Sequence, residues 1–318
     1  MRKSVALGVL ILVFAGLAAG AYYVAFPGGR LAKPEVREVW HEWGEVNTAT
    51  TEIISHVVIY NPSRATLTIE DLTYTIYLND IEFATGRLQE PVQVPAQGEA
   101  ELVLRTYLDN MKIPAWWVSH VKNGEKTVVR AEGKARLKAF GVSFTVPLSM
   151  PAQEAETDLD ERLDLENVTI DLAEVPFLGT DIELYVKEVD TSWGEVNTAT
   201  TELLHHAVIL NTYDVPVLVP DMTIEYEIWV NEVLLGNGTV PVESELVPPG
   251  GTYELDFSTV IDNDVLDDVW VSHLQHGEDS TVLVKVFVVG DGGRVLVHEE
   301  SRELQTDILS ALAYSSSS

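Results

Sequence analysis

The sequence contains no cysteine. That removes disulfides, thiolate metal sites, thiol catalysis and iron–sulfur clusters together, and leaves the redox compartment open. Basic side chains are scarce as well: 20 Lys and Arg stand against 50 Asp and Glu, for a net charge of −30. A phosphate backbone recruits cations, so nucleic acid is excluded as a partner. The scarcity is local. Residues 1–150 hold 15 basic and 15 acidic side chains, whereas 151–318 hold 5 and 35. A general adaptation of solvation would mark both halves, so the acidity belongs to the second. With 46% hydrophobic residues, 22% charged ones and a mean hydropathy of +0.08, the chain is neither wholly disordered, nor collagen-like, nor a polytopic membrane protein. Its 318 residues accommodate two domains.

Long apolar runs are missing everywhere except at the amino terminus. After Arg2 and Lys3 no charge occurs until Arg30, and residues 4–29 are dominated by Ala, Leu, Val, Ile and Phe. As a helix that stretch would reach ~39 Å, enough for a hydrocarbon core of ~30 Å. Tyr22 and Tyr23 stand where an interfacial aromatic belt would be. A cleaved signal peptide with Ala19-Gly20-Ala21 as its small-residue site is the competing reading. The run exceeds a typical h-region, so the expectation is a single-pass cell-membrane protein, anchored through 4–29, with its carboxyl-terminal domains extracytoplasmic.

The remainder repeats itself. Trp43 to Glu52, WGEVNTATTE, recurs unchanged as Trp193 to Glu202. The match continues with a slowly growing offset: His56 with His206, Asn61 with Asn211, Tyr74 with Tyr226, Asn79 with Asn231, Gly86 with Gly238 and Pro95 with Pro248. Asp109-Asn110 pairs with Asp262-Asn263, Trp117 to His120 with Trp270 to His273, and Thr157-Asp158 with Thr306-Asp307. Two units this large are domains, not solenoid turns.

Within a unit the hydrophobic period is mostly two. Glu52 to Tyr60, Leu67 to Leu78, Ala100 to Leu108, Thr127 to Leu137 and Phe140 to Pro147 are rich in Val, Ile, Thr and Tyr and are bounded by turn residues. Asp109 to Val121 has helical spacing instead, with Asp109 or Asn110 as N-cap and Asn123-Gly124 as stop, and Asp262 to Leu274 repeats it. Six or seven strands with one helix per unit predict a β-sandwich covered at one end or edge.

Asn61-Pro62, then Ile69, Leu72 to Asn79, Gly86 and Val94-Pro95-x-x-Gly98 resemble the water stress and hypersensitive response (WHy) domain of the type-2 late embryogenesis abundant (LEA) proteins. The resemblance spans 36–150 and, more weakly, 186–308, where Thr212 replaces the proline after Asn211 while Tyr226, Asn231, Gly238 and Pro248 still fit. It implies a fibronectin-III-like sandwich with one helix, no catalytic site, and a role in desiccation or stress tolerance.

Chemistry-bearing clusters are sparse. On an alternating strand His205 and His206 point to opposite faces and cannot share a metal ion. Ser119-His120 and Ser272-His273 are neighbours on a helix, a poor geometry for a nucleophile and its base, and no G-x-S-x-G elbow occurs. Trp116, Trp117 and Trp270 are expected to pack the helices onto the sheets. Acidic runs fall in 158–166 and at the second helix start, where Asp262, Asp264, Asp267 and Asp268 are calcium candidates, although neither run matches an EF-hand loop. Acids at a helix amino terminus also suit the dipole. Asn167 and Asn237 open glycosylation sequons.

The sequence thus predicts a mainly β chain. A transmembrane anchor or signal peptide spans 4–29, sandwich 1 spans 34–160, an acidic connector 161–185, sandwich 2 186–308, and a Ser-rich tail 309–318. No cofactor and no enzymatic activity are expected. The expected partners are the membrane, through the amino-terminal helix, and client or cell-surface proteins. A surface adhesion or scaffold protein that uses calcium is the alternative.

Overall fold

The computed structural model describes residues 34–171, 183–290, 293–312 and 314–315. The chain divides into two compact units: unit 1 ends at Thr157 and regains the chain from Thr306, and unit 2 is Asp158–Gln305. Both are mainly β, with antiparallel pairing and few short helices.

In unit 1, strands β1 (Glu35–Val46), β2 (Thr50–Asn61), β3 (Leu67–Leu78), β4 (Ile81–Leu88), β5 (Val92–Val94) and β6 (Gly98–Asp109) lead through a 3-10 turn, Asn110–Lys112, into helix α1 (Ile113–Lys122); β7 (Lys126–Ala139) and β8 (Val142–Glu156) follow. Hydrogen-bonded neighbours run β1-β2-β6-β4-β3-β7-β8, with β5 beside β3. Alternation does the sorting. Along β7, Thr127, Val129, Ala131, Ala135 and Leu137 are buried, whereas Glu132, Lys134, Arg136 and Lys138 are exposed. Val39, Val57, Val94, Leu104, Val129 and Val146 are sealed from solvent and form the centre of the unit.

Unit 2 opens with helix α2 (Leu159–Arg162) and β9 (Leu165–Asp171), followed by β10 (Glu183–Val196), β11 (Thr200–Leu210), β12 (Val217–Val219), β13 (Met222–Val230), β14 (Val233–Val242), β15 (Glu245–Val247) and β16 (Thr252–Asp262). A 3-10 turn, Asn263–Val265, leads into helix α3 (Leu266–Gln275), then β17 (Asp279–Gly290) and β18 (Gly293–Gln305). The neighbour order is β18-β17-β13-β14-β16-β11-β10-β9, and β12 and β15 form a separate ribbon. That ribbon is split off at Pro220, which has no N–H for a ladder and falls where β3 of unit 1 runs unbroken. One buried cluster joins Val240, Val242, Val247 and Tyr253. Beyond unit 2, helix α4 (Ile308–Leu312) and β19 (Tyr314–Ser315) return to unit 1, where β19 pairs with β1.

Several expectations change. The segment 161–185, read as a connector, contains β9, which pairs with β10 from Glu183↔Asp171 to Val189↔Leu165. The tail 309–318 contains part of α4 and the strand β19. Phe140 is not in a strand: Phe140 and Gly141 both take positive φ in the two-residue turn between β7 and β8, and the ring is 70% exposed. Strands β1, β4 and β5, whose apolar residues are few or interrupted, add to those that the alternation predicts. The cell-membrane placement is also corrected. The span read at 4–29 lies outside the described residues, and among those described no helix is long and apolar enough to cross a membrane. The longest, α1 and α3, have 10 residues each, roughly 15 Å against a hydrocarbon core of ~30 Å.

Candidate functional site

The residues that carry the family pattern are brought together as nodes of the fold. Asn61 ends β2 with its side chain sealed in; Nδ2 donates to the carbonyls of Ala65, Val94 and Pro95 at 2.8, 3.2 and 3.1 Å, and Oδ1 accepts from Ser63 N at 3.1 Å. One amide therefore ties the loop after β2 to the end of β5. Asn211 repeats this with Val215, Val247 and Pro248 at 3.0, 3.0 and 3.1 Å, and with Tyr213 N at 2.9 Å. Pro95 and Pro248 act through their carbonyls, and Pro62 makes no bond that Thr212 would have to replace.

Tyr74 and Gly86 face each other across β3 and β4. A Cβ at position 86 would overlap the Tyr74 ring, so the glycine is the space in which the phenol lies. The hydroxyl meets Thr106 Oγ1 at 2.5 Å. Burial pushes the phenol pKa up to about 12. Tyr226 and Gly238 share the same relation, with Thr259 at 2.6 Å and the Ser258 carbonyl at 3.1 Å. Asn79, at φ 48°, donates to Ser119 Oγ at 2.9 Å and accepts from Val128 N at 2.8 Å, which pins α1 to the hairpin. Asn231, at φ 53°, does this with Ser272 and Thr281.

The repeated decapeptide is a bulge, a turn and a latch. Trp43 pairs with Ile53 and Val46 with Thr51, leaving Gly44 and Glu45 opposite Glu52 alone. Glu45 N donates to Glu52 Oε2 at 3.2 Å, and a Cβ on Gly44 would collide with that carboxylate. Asn47 Oδ1 closes the turn by accepting from Ala49 N and Thr50 N, both at 3.0 Å. Asn110 latches it: its Nδ2 donates to the Asn47 carbonyl at 2.8 Å, its own N to Ala49 O at 3.0 Å, and Oδ1 accepts from Thr51 at 2.9 Å. Asn263 latches Asn197, Ala199 and Thr201 in the same way. The units differ in what balances the glutamate. Burial pushes the Glu52 carboxyl up, but Arg105 at 2.6 Å and the Glu45 N–H outweigh it and hold the pKa below the ordinary 4.5. In unit 2, Ser258 occupies the cross-strand position of Arg105.

His120 and His205 serve the interior. His120 Nδ1 lies 2.8 Å from Thr127 Oγ1 and Nε2 lies 2.9 Å from Thr157 Oγ1. Thr157 donates to Glu125 at 2.5 Å, and Trp116 Nε1 donates to Thr127 at 3.0 Å. Burial lowers the His120 pKa, against a smaller opposing pull from Glu125. His205 and His206 do point apart: His205 bridges Thr191 at 3.1 Å and Thr259 at 2.8 Å, and His206 meets Asp256 at 2.8 Å. Burial lowers the pKa of His205, and the hydrogen bond with Asp256 raises that of His206. Trp116 packs edge-on to Phe83 with centroids 5.9 Å apart.

The acidic candidates lie close along the chain and are used locally. Asp262 caps the 3-10 turn, accepting from Asp264 N at 3.0 Å, and Asp267 is buried on α3, where burial raises its pKa. Asp268 follows in the first turn of α3. Among the described residues, no group of three or more His, Asp or Glu is placed to hold a metal ion. Of the two sequon residues, Asn167 accepts from the Tyr185 hydroxyl at 2.5 Å. Sequence reading missed Thr51, Thr106, Thr127, Glu125 and the latch made by Asn110. The signal was present in the paired Thr51/Thr201 and Asn110/Asn263 of the repeat.

Residues 56–151 match the family model described as late embryogenesis abundant protein. No curated protein gives a significant match. Among solved structures, a protein from Archaeoglobus fulgidus is 28% identical, covers 39% of this chain and 98% of its own, and superposes with a TM-score of 0.34. A protein from Arabidopsis thaliana is 17% identical over 45% of this chain and 95% of its own, with a TM-score of 0.29. A β-glucuronidase from Bacteroides uniformis, 10% identical, covers 86% of this chain and 32% of its own at a TM-score of 0.22.

Proposed function

We propose that this is a non-enzymatic, LEA-like stress-protection protein that acts by binding other proteins at its surface. The observation that supports it is the family match over 56–151, inside which Asn61, Tyr74, Asn79, Gly86 and Pro95 are all spent on holding the fold. A pattern made of structural nodes defines a scaffold and leaves function to the exposed faces. The paired nodes of the two units support reading them as a tandem duplication of fibronectin-III-like WHy sandwiches. The acidic unit would keep partly unfolded clients apart by repulsion and hydration.

The test measures the residual activity of a labile enzyme after drying, freezing or heating, beside the full chain or an equal mass of an unrelated acidic protein. Better protection by this chain, without nucleotide, is expected. Equal protection would reduce the effect to crowding and charge, and would favour the adhesion or scaffold alternative.

A further inference from the structure

The ribbon of β12 and β15 exposes apolar side chains in the most acidic part of the molecule. Leu218 and Leu246 are cross-strand partners and therefore share one face; they are 63% and 62% exposed, and Val215 beside them is 60% exposed. The opposite face is the packed one, where Val247 is 3% exposed and joins the core cluster of unit 2. Unit 1 supplies the comparison. There the Leu67↔Val94 pair matches Val217↔Val247, and the next pair, in place of Leu218↔Leu246, is Thr68↔Gln93. The fold tolerates polar residues at these two positions, so the leucines are not needed for packing.

The surroundings indicate what covers them. Exposed Asp214, Asp221 and Glu243 flank the ribbon, the exposed Glu245 lies within β15 itself, and Asp221 Oδ1 accepts from Ser244 N at 2.7 Å, which holds one carboxylate at its end. Unit 2 as a whole carries five Lys and Arg against 32 Asp and Glu. A second copy would bring the same negative field and be repelled. Addition of a strand at the β12 edge is also blunted, because Pro216 and Pro220 bracket Val217–Val219 and offer no N–H. What fits is a side-chain contact with a segment that is both apolar and cationic.

We propose that the Leu218/Leu246 face is a docking surface for basic, apolar segments of other proteins, with the leucines taking the apolar side chains and the surrounding carboxylates the cations. This rests on the protein-binding reading above and names its surface and partner chemistry.

The probe is a fluorescent peptide of alternating Leu and Lys, beside one of equal charge with Ser in place of Leu, each titrated against the full chain by anisotropy. L218T/L246Q installs the unit 1 residues and so keeps the fold, which its melting curve verifies. The Leu-Lys peptide should bind the wild-type chain and lose roughly tenfold or more in affinity to L218T/L246Q, since the substitutions remove the apolar surface that its leucines would cover. D214N/D221N/E243Q/E245Q should lose affinity at low salt and flatten the salt dependence. The Ser-Lys peptide should not respond to the leucine substitutions. Equal binding of the Leu-Lys peptide by wild type and L218T/L246Q would overturn the proposal, as would a wild-type chain that self-associates through this face and ignores the peptide. Protection of the labile enzyme is measured separately. Peptide binding lost in L218T/L246Q with protection retained would sink this surface as the client site and leave the protective reading standing; leucine-dependent binding without protection in the wild type would do the reverse.

Discussion

His120 donates through Nε2 to Thr157, and the contact has only one direction. Thr157 gives its own proton to Glu125, so its oxygen is left to accept at 2.9 Å. Trp116 donates to Thr127, whose hydroxyl is thereby free to donate to His120 Nδ1. With Thr127 as the donor, the chain of bonds is polarised from the tryptophan to the glutamate and suits a neutral imidazole, the form that burial favours.

A pH dependence follows. Burial lowers the pKa of His120, His205 and His273 from the ordinary 6.5. The unfolded chain therefore takes up protons first as pH falls, so stability is full above about pH 6.5 and is lost as pH drops through the folded values. His206, raised by Asp256, works in the opposite sense, and its contribution fades as pH rises through its folded value. Melting temperatures of the full chain should decline between about pH 6.5 and 5, before ordinary carboxylates titrate, and H120Q should shallow the decline. A flat profile in the wild type would contradict the neutral assignment.

Asn61→Ala should cost about 1–3 kcal/mol, because the Ala65, Val94 and Pro95 carbonyls each lose a donor and the Ser63 N–H and hydroxyl lose their acceptor in a sealed site. Asn211→Ala should act similarly on unit 2. Denaturant unfolding of each variant gives the comparison, and a loss under ~0.5 kcal/mol would show that water replaces the amide.

Tyr74→Phe keeps the ring but leaves Thr106, a buried hydroxyl, without its 2.5 Å partner, for an expected loss of about 1–2 kcal/mol. Gly86→Ala should cost more, since the methyl enters the ring's space. Combining Gly86→Ala with Tyr74→Leu should be less harmful than the two losses added together, and a double-mutant cycle in urea measures the coupling.

Ionic strength should separate the units. Unit 2, with its 32 acids, should gain protection from limited proteolysis as salt rises from about 10 to 200 mM, whereas unit 1 should change little. Equal responses would mean that the carboxylates of unit 2 are already balanced, as Glu225 and Glu227 are by Arg294 at 3.1 and 2.7 Å.

Period-two alternation made the long strands legible, because β2, β3, β6 and β7 each bury one face. The same reasoning missed β5 and overlooked that Phe140 sits in a turn, since three residues give no period and an apolar ring reads as strand wherever it stands. The helix was legible from Asp109, which does cap the turn before it. Of the nodes, Asn61 and Tyr74 were picked out by family resemblance, but their partners were not, because Ala65, Val94 and Pro95 contribute carbonyls, which no side-chain pattern announces. The Leu218/Leu246 face was invisible for a related reason: only the register, which pairs the two leucines with each other while Val247 joins the core, shows that they lie outside it.

The return of Tyr314–Ser315 to β1 sets an order of events during synthesis. A ribosome makes β1 through β8, then all of unit 2, before these residues exist to pair with Glu38 and Val39. While Asp158–Gln305 is being translated, on the order of 10 s at ~5–20 residues per second, unit 1 waits without the strand that pairs with Glu38 and Val39. The nascent chain thus passes through a stage in which Glu38 and Val39, in an otherwise assembled sheet, lack the strand that Tyr314 and Ser315 later supply.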